Sequence, residues 1–88
     1  MKRIPKVKVK TITVVWMDSG YLDGWKSRDH SEDIGISMAI SRGILLSESD
    51  DRFNICHSVD YNQDHQALGI LAIPKAAIIR YKIKTELI

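Results

Sequence analysis

The residues of this chain best suited to chemistry are two rows of cations at its ends, an aromatic pair around a loop, and a cysteine next to a histidine. Lys6, Lys8 and Lys10 alternate with other residues near the start, and Arg80, Lys82 and Lys84 do the same near the end. On an extended strand every second side chain shares a face, so each set forms a cationic row. If the first and last strands are neighbours, as barrel closure requires, the six cations line one ribbon. Such a ribbon tracks phosphates, and its binding weakens steeply with salt. The competing reading is that outward lysines keep edge strands soluble and unpaired. Residues 11–74 hold four cations against ten acids and the net charge is only +2, which favours edge protection over nucleic-acid binding.

Asp18, Ser19, Gly20, Asp23 and Gly24 mark a loop, with Tyr21 and Leu22 near its tip and Trp16 and Trp25 on its flanks. Aromatic side chains at a loop tip can stack on a base or fill a partner's pocket. The favoured reading of the two tryptophans is that they cap one end of a thin core, with the loop merely connecting. Cys56 and His57 are adjacent and would point to opposite faces of a strand, while His65 lies in a polar stretch near Asp60 and Asp64. No zinc-type ligand spacing results, and neither metal nor cofactor is expected. The chain lacks a glycine-rich phosphate loop, a nucleophile elbow and a paired-histidine motif. Asp18 and Ser19 have no histidine placed by sequence to activate them, and Asp50 and Asp51 read as hairpin-turn residues. The expected chemistry is therefore non-catalytic binding.

These residues must be held by a mainly β fold. Val7 and Val9 alternate with lysines, and past Thr11 the apolar parity changes to Ile12, Val14 and Trp16, which suggests a bulge or strong bend. Ile36, Met38, Ile40, Ile44 and Leu46 all fall on even positions, with a kink expected at Gly43. Phe53, Ile55, Val59 and Tyr61 alternate with polar residues, Ala67 to Ile73 reads as a strand covered on both faces, and Ile79, Tyr81 and Ile83 alternate with cations. Pro74 ends the apolar run and starts a single helical turn over Lys75 to Ala77. Ser27 is placed to cap a second short turn through Asp33. The sum is one domain over residues 1–88, a small, strongly bent five-stranded barrel with one or two helical turns.

A chain of 88 residues buries only about 60–65% of its unfolded surface, so its core is thin and self-association would help it. The single cysteine, Cys56, excludes an internal disulfide and points to a reducing compartment, with the cytoplasm as the default. The basic start is followed by no secretory apolar region, and the longest apolar run is too short for a membrane helix.

Two resemblances add to this. The order of bent strand, hairpin, apolar strand, helical turn and final strand is similar to the Sm-like small barrels. Gly43, Leu45, Asp51 and Asn54 resemble that family's first motif, stretched before the aspartate, and Ile79 and Arg80 resemble the start of its second motif, with Tyr81 in place of glycine. The resemblance implies an RNA-binding pocket on a ring built with Asp51, Asn54 and Arg80. Val14, Trp16, Asp18, Ser19, Gly24, Trp25, Ala72, Ile73, Pro74 and Ile78 resemble small phage and prophage proteins of similar length, which implies a viral or mobile-element origin. Three functions follow as expectations: a protein-binding module using the aromatic loop, a nucleic-acid binder using Lys6, Lys8, Lys10, Arg80, Lys82 and Lys84, and an assembly component whose partner is itself.

Overall fold

A computed structural model describes residues 5–19, 25, 27–29, 35–60 and 66–88. The strands are β1 (Lys8–Asp18), β2 (Ser37–Glu48), β3 (Arg52–Cys56), β4 (Ser58–Val59), β5 (Ala67–Leu68), β6 (Leu71–Pro74) and β7 (Ile78–Leu87), with a 3-10 turn at Lys75–Ala77 before the last. Five of them form one antiparallel sheet in the order β6-β3-β2-β1-β7, and β4 pairs with β5 alone. Among the described residues no helix is long and apolar enough to cross a membrane.

The expected barrel is not closed. β6 and β7 stand at opposite edges of the sheet. β6 has four residues against ten in β7, and Pro74 at its end lacks an N–H to offer a ladder. The sheet nevertheless curls. Leu46 is looped out of the β2–β3 ladder and Ile79 out of the β1–β7 ladder, and each bulge adds bend and twist. The curl brings Phe53 of β3 against Tyr81 of β7, ring centroids 4.9 Å apart, although two strands lie between them. The 3-10 turn is tied down where Lys75 N–H donates to the Asp51 carbonyl at 2.8 Å.

The parity change in β1 has a different origin from the one expected. β1 keeps one register against β2 from Thr11 to Asp18 and contains no bulge. Ile12, Val14 and Trp16 are buried and share their face with exposed Lys8 and Lys10. The strand simply runs out from under the core. That core consists of Ile12, Val14, Trp16, Phe53, Ile55 and Ile73, with Ala39, Leu45, Ala77 and Ile78 packed at its margin.

Two more expectations change. β2 passes through Gly43 without a break. Glycine is required there because a Cβ would sit 2.7 Å from the Cys56 carbonyl oxygen and 3.3 Å from Ile55 Cδ1. The run from Ala67 to Ile73 is not one doubly covered strand but β5, a turn at Gly69 with φ of 70°, and β6. Only Ile73 of that run is buried, while Leu68, Ile70 and Leu71 are exposed.

Candidate interaction surface

β1 and β7 are neighbours, but their register divides the six cations. Thr11 pairs with Lys84, Thr13 with Lys82 and Val15 with Arg80. Directly paired residues share a face, so Arg80, Lys82 and Lys84 lie with the odd-numbered residues of β1. Lys8 and Lys10 pair with Leu87 and Thr85 on the opposite face. The expected ribbon of six therefore becomes two separate groups. Lys6 is exposed just before β1 begins.

A cation that the sequence reading passed over joins the second group. Arg42 pairs with Thr13, which pairs in turn with Lys82, so Arg42 and Lys82 flank one threonine on the outer face. Glu86 shares this face. A hydrogen bond from Lys84, at 2.8 Å, together with the charges of Lys84 and Arg42, holds its carboxyl below the usual carboxylate range. The signal for Arg42 was its even parity in β2, shared with Met38 and Ile40.

The larger omission lies on the same face. Ile36, just ahead of β2, and Met38 and Ile40 within it are 70%, 64% and 71% exposed. The alternate β2 residues, which face the core, are Ala39, Ser41 and Gly43. Met17 pairs with Met38 and Val15 with Ile40, extending the apolar surface onto β1. On the outer face Ile36, Met38, Ile40, Met17 and Val15 form an apolar region; Arg42, Lys82 and Lys84 lie beyond it along the strands, and Arg80 flanks it as the β7 partner of Val15.

The two tryptophans that flank the aromatic loop do not gather as expected. Trp16 is buried in the core, its Nε1–H donating to Ser41 Oγ at 3.0 Å, so its ring is closed to a partner. Trp25 is fully exposed. The two tryptophans therefore do not cap the core together, and Tyr21 and Leu22 lie outside the described residues.

Asp51, Asn54 and Arg80 do not converge either. Ser49 Oγ donates to Asp51 at 2.7 Å and Arg52 pairs with it at 2.9 Å, and the first of these contributes most to holding the Asp51 carboxyl low. Asn54 donates to Ser47 Oγ at 3.0 Å. Arg80 instead lines an open cleft of about 430 Å³ with Phe53, Lys75, Ile78, Ile79 and Tyr81. Within it Lys75 is paired with Glu48 at 2.5 Å, and its ammonium lies 5.0 Å from the centroid of the buried Phe53 ring. His57 is exposed, with Nδ1 2.6 Å from Ser58 Oγ. Cys56 is buried, and burial pushes its thiol pKa up. Among the described residues no group of three His, Cys, Asp or Glu side chains is placed to hold a metal ion; His65 and Asp64 lie outside them.

The chain matches no family model, no curated protein and no solved structure. Its own surface chemistry is the basis for a functional reading.

Proposed function

We propose that this protein is a non-catalytic, self-associating interaction module whose first partner is another copy of itself. The observation that carries this reading is exposed apolar surface on the described sheet. Ile36, Met38 and Ile40 are 70%, 64% and 71% exposed on one face, and burial of such side chains is the driving force for association.

A strongly bent, Sm-like roll belongs to this proposal as its finer form. Neighbouring first and last strands and a helical turn ahead of the last strand support it. A cytoplasmic setting is consistent with a lone buried thiol.

A second reading rests on Arg42, Arg80, Lys82 and Lys84, which share one face with Glu86 as their acidic neighbour. In it the assembled protein binds nucleic acid through that face. Four cations set the scale, since each neutralised phosphate adds about 0.7 to 0.9 to the slope of log affinity against log salt.

Sedimentation velocity of the full chain over a range of micromolar concentrations tests the first reading, which expects a dimer or larger species. A monomer at every concentration overturns it. Titration with a single-stranded oligonucleotide at several salt concentrations tests the second; no binding at low salt, or affinity independent of salt, removes it.

A further inference from the structure

We infer that the free edge of β7 is a docking site for an acidic, extended segment of another protein, which joins the sheet as one more antiparallel strand. The two edges of the sheet are built differently. β6 has four residues and ends in Pro74, whereas β7 runs ten residues from Ile78 to Leu87 and contains no proline. Short strands and prolines block strand addition, and a long edge without them is a template for it. The bulge at Ile79 lies at the start of β7, and the register is unbroken from Arg80 to Leu87.

The backbone bonds fix which groups this edge offers. Val7 and Ile88 exchange both N–H···O bonds, at 2.7 and 2.8 Å. In an antiparallel ladder such pairs recur at every second residue, so Glu86, Lys84, Lys82 and Arg80 turn their N–H and C=O groups toward β1. Those of Tyr81, Ile83, Thr85 and Leu87 point the other way, and among the described residues no strand pairs with them. An extended chain laid along the edge completes such a row.

Charge selects the occupant. Arg80, Lys82 and Lys84 line the outer face of this edge strand. Lys84 is paired with Glu86, while Arg80 and Lys82 have no carboxylate partner among the described residues. A second copy of β7 is a poor partner, because any antiparallel register that includes all three cations sets one cation opposite another, which is destabilising. An acidic strand is a good one. Carboxylates at every second residue fall opposite Arg80, Lys82 and Lys84. The intervening residues meet Tyr81 and Ile83 on the other face, 53% and 39% exposed, where β-branched apolar side chains fit. The edge is the side of β7 turned away from β1 and β2, so docking there is independent of self-association through β2.

The test is fluorescence anisotropy of a labelled, end-blocked peptide of alternating glutamate and valine, titrated with the full chain at low salt. Binding is expected, and its absence at the highest soluble protein concentration overturns the docking. Two N-methylated peptides locate the contact. The valines, opposite Tyr81, Ile83 and Thr85, exchange bonds with the edge, so methylating their amides should weaken binding at least about tenfold, the scale of lost hydrogen bonds. The glutamate amides face away, and methylating them should leave affinity within about threefold, under the scale of one hydrogen bond. Equal losses, or the reverse order, overturn the docking. Lys82→Glu should weaken the glutamate peptide about tenfold and strengthen its lysine counterpart, as reversal of an interfacial charge does; an unchanged preference counts against the site. Displacement of the peptide by a single-stranded oligonucleotide, with no effect of methylation, would assign these cations to phosphate instead.

Discussion

The two faces of the central β1–β2 pair are built on different plans, although the same two strands supply both. On the core face β1 contributes the large residues Ile12, Val14 and Trp16, and β2 contributes the small ones, Ala39, Ser41 and Gly43. On the outer face both strands contribute large residues at the apolar end, Met17 and Val15 opposite Met38 and Ile40. Size alternation across a pair lets facing layers interdigitate. The core face has its layer in Phe53, Ile55 and Ile73. The outer face carries large side chains from both strands, and among the described residues no layer packs over its apolar end.

The contrast can be broken first at the core. Phe53→Ala should cost about 3–5 kcal/mol, enough to unfold so thin a domain, whereas Ile40→Ala should leave the unfolding midpoint of the monomer nearly unchanged. Urea denaturation followed by circular dichroism separates the two; equal losses would mean that the outer face is as load-critical as the core. Gly43→Ala comes next, at about 1–3 kcal/mol, because its Cβ meets the backbone of β3 rather than a movable side chain. Thermal unfolding reads it, and an unchanged midpoint would show that the β2–β3 approach can relax.

Trp16→Phe should be milder, about 1 kcal/mol from the hydrogen bond to Ser41 together with a small packing loss. Removing the Ser41 hydroxyl as well should add little, so the double substitution checks the coupling. Cys56 should resist a disulfide reagent in the folded chain and react on unfolding. Its pKa is raised by burial, so the stability this gives is complete below the unfolded thiol pKa. It is lost as pH rises toward the folded value.

The smallest effect concerns Asp51 and Glu86, both held below the ordinary carboxylate range. A lowered carboxylate stabilises the fold above its unfolded pKa, and the gain disappears as pH falls through the folded value. Both groups are solvent-exposed, so Asp51→Asn should flatten the acid limb of a stability profile only slightly. A large change would show that the turn between β2 and β3 matters more than its exposure implies.

Strand identity was legible wherever alternation was local. β1, β2, β7 and the turn at Lys75–Ala77 lie where periodicity and Pro74 put them, whereas the strand expected through Phe53, Ile55 and Val59 is divided at His57 into β3 and β4, which belong to different sheets. Alternation alone cannot say which of two parities is buried, because that depends on what the other strands bring. Even parity in β2 was the stronger apolar signal and proved to be the outer face, since Cys56 and Ile55 press on Gly43 from the core side.

The cations show the same division. Sequence alone determined that Lys8 and Lys10 share a face, that Arg80, Lys82 and Lys84 share a face, and that both rows sit near chain ends. Only the register of β1 against β7 decided that the rows lie on opposite sides, because a shift of one residue in pairing moves every side chain to the other face. The open sheet was likewise a tertiary outcome. Closure depends on whether two distant edges can meet, and a four-residue β6 ending in proline leaves the long edge of β7 without a partner in the sheet.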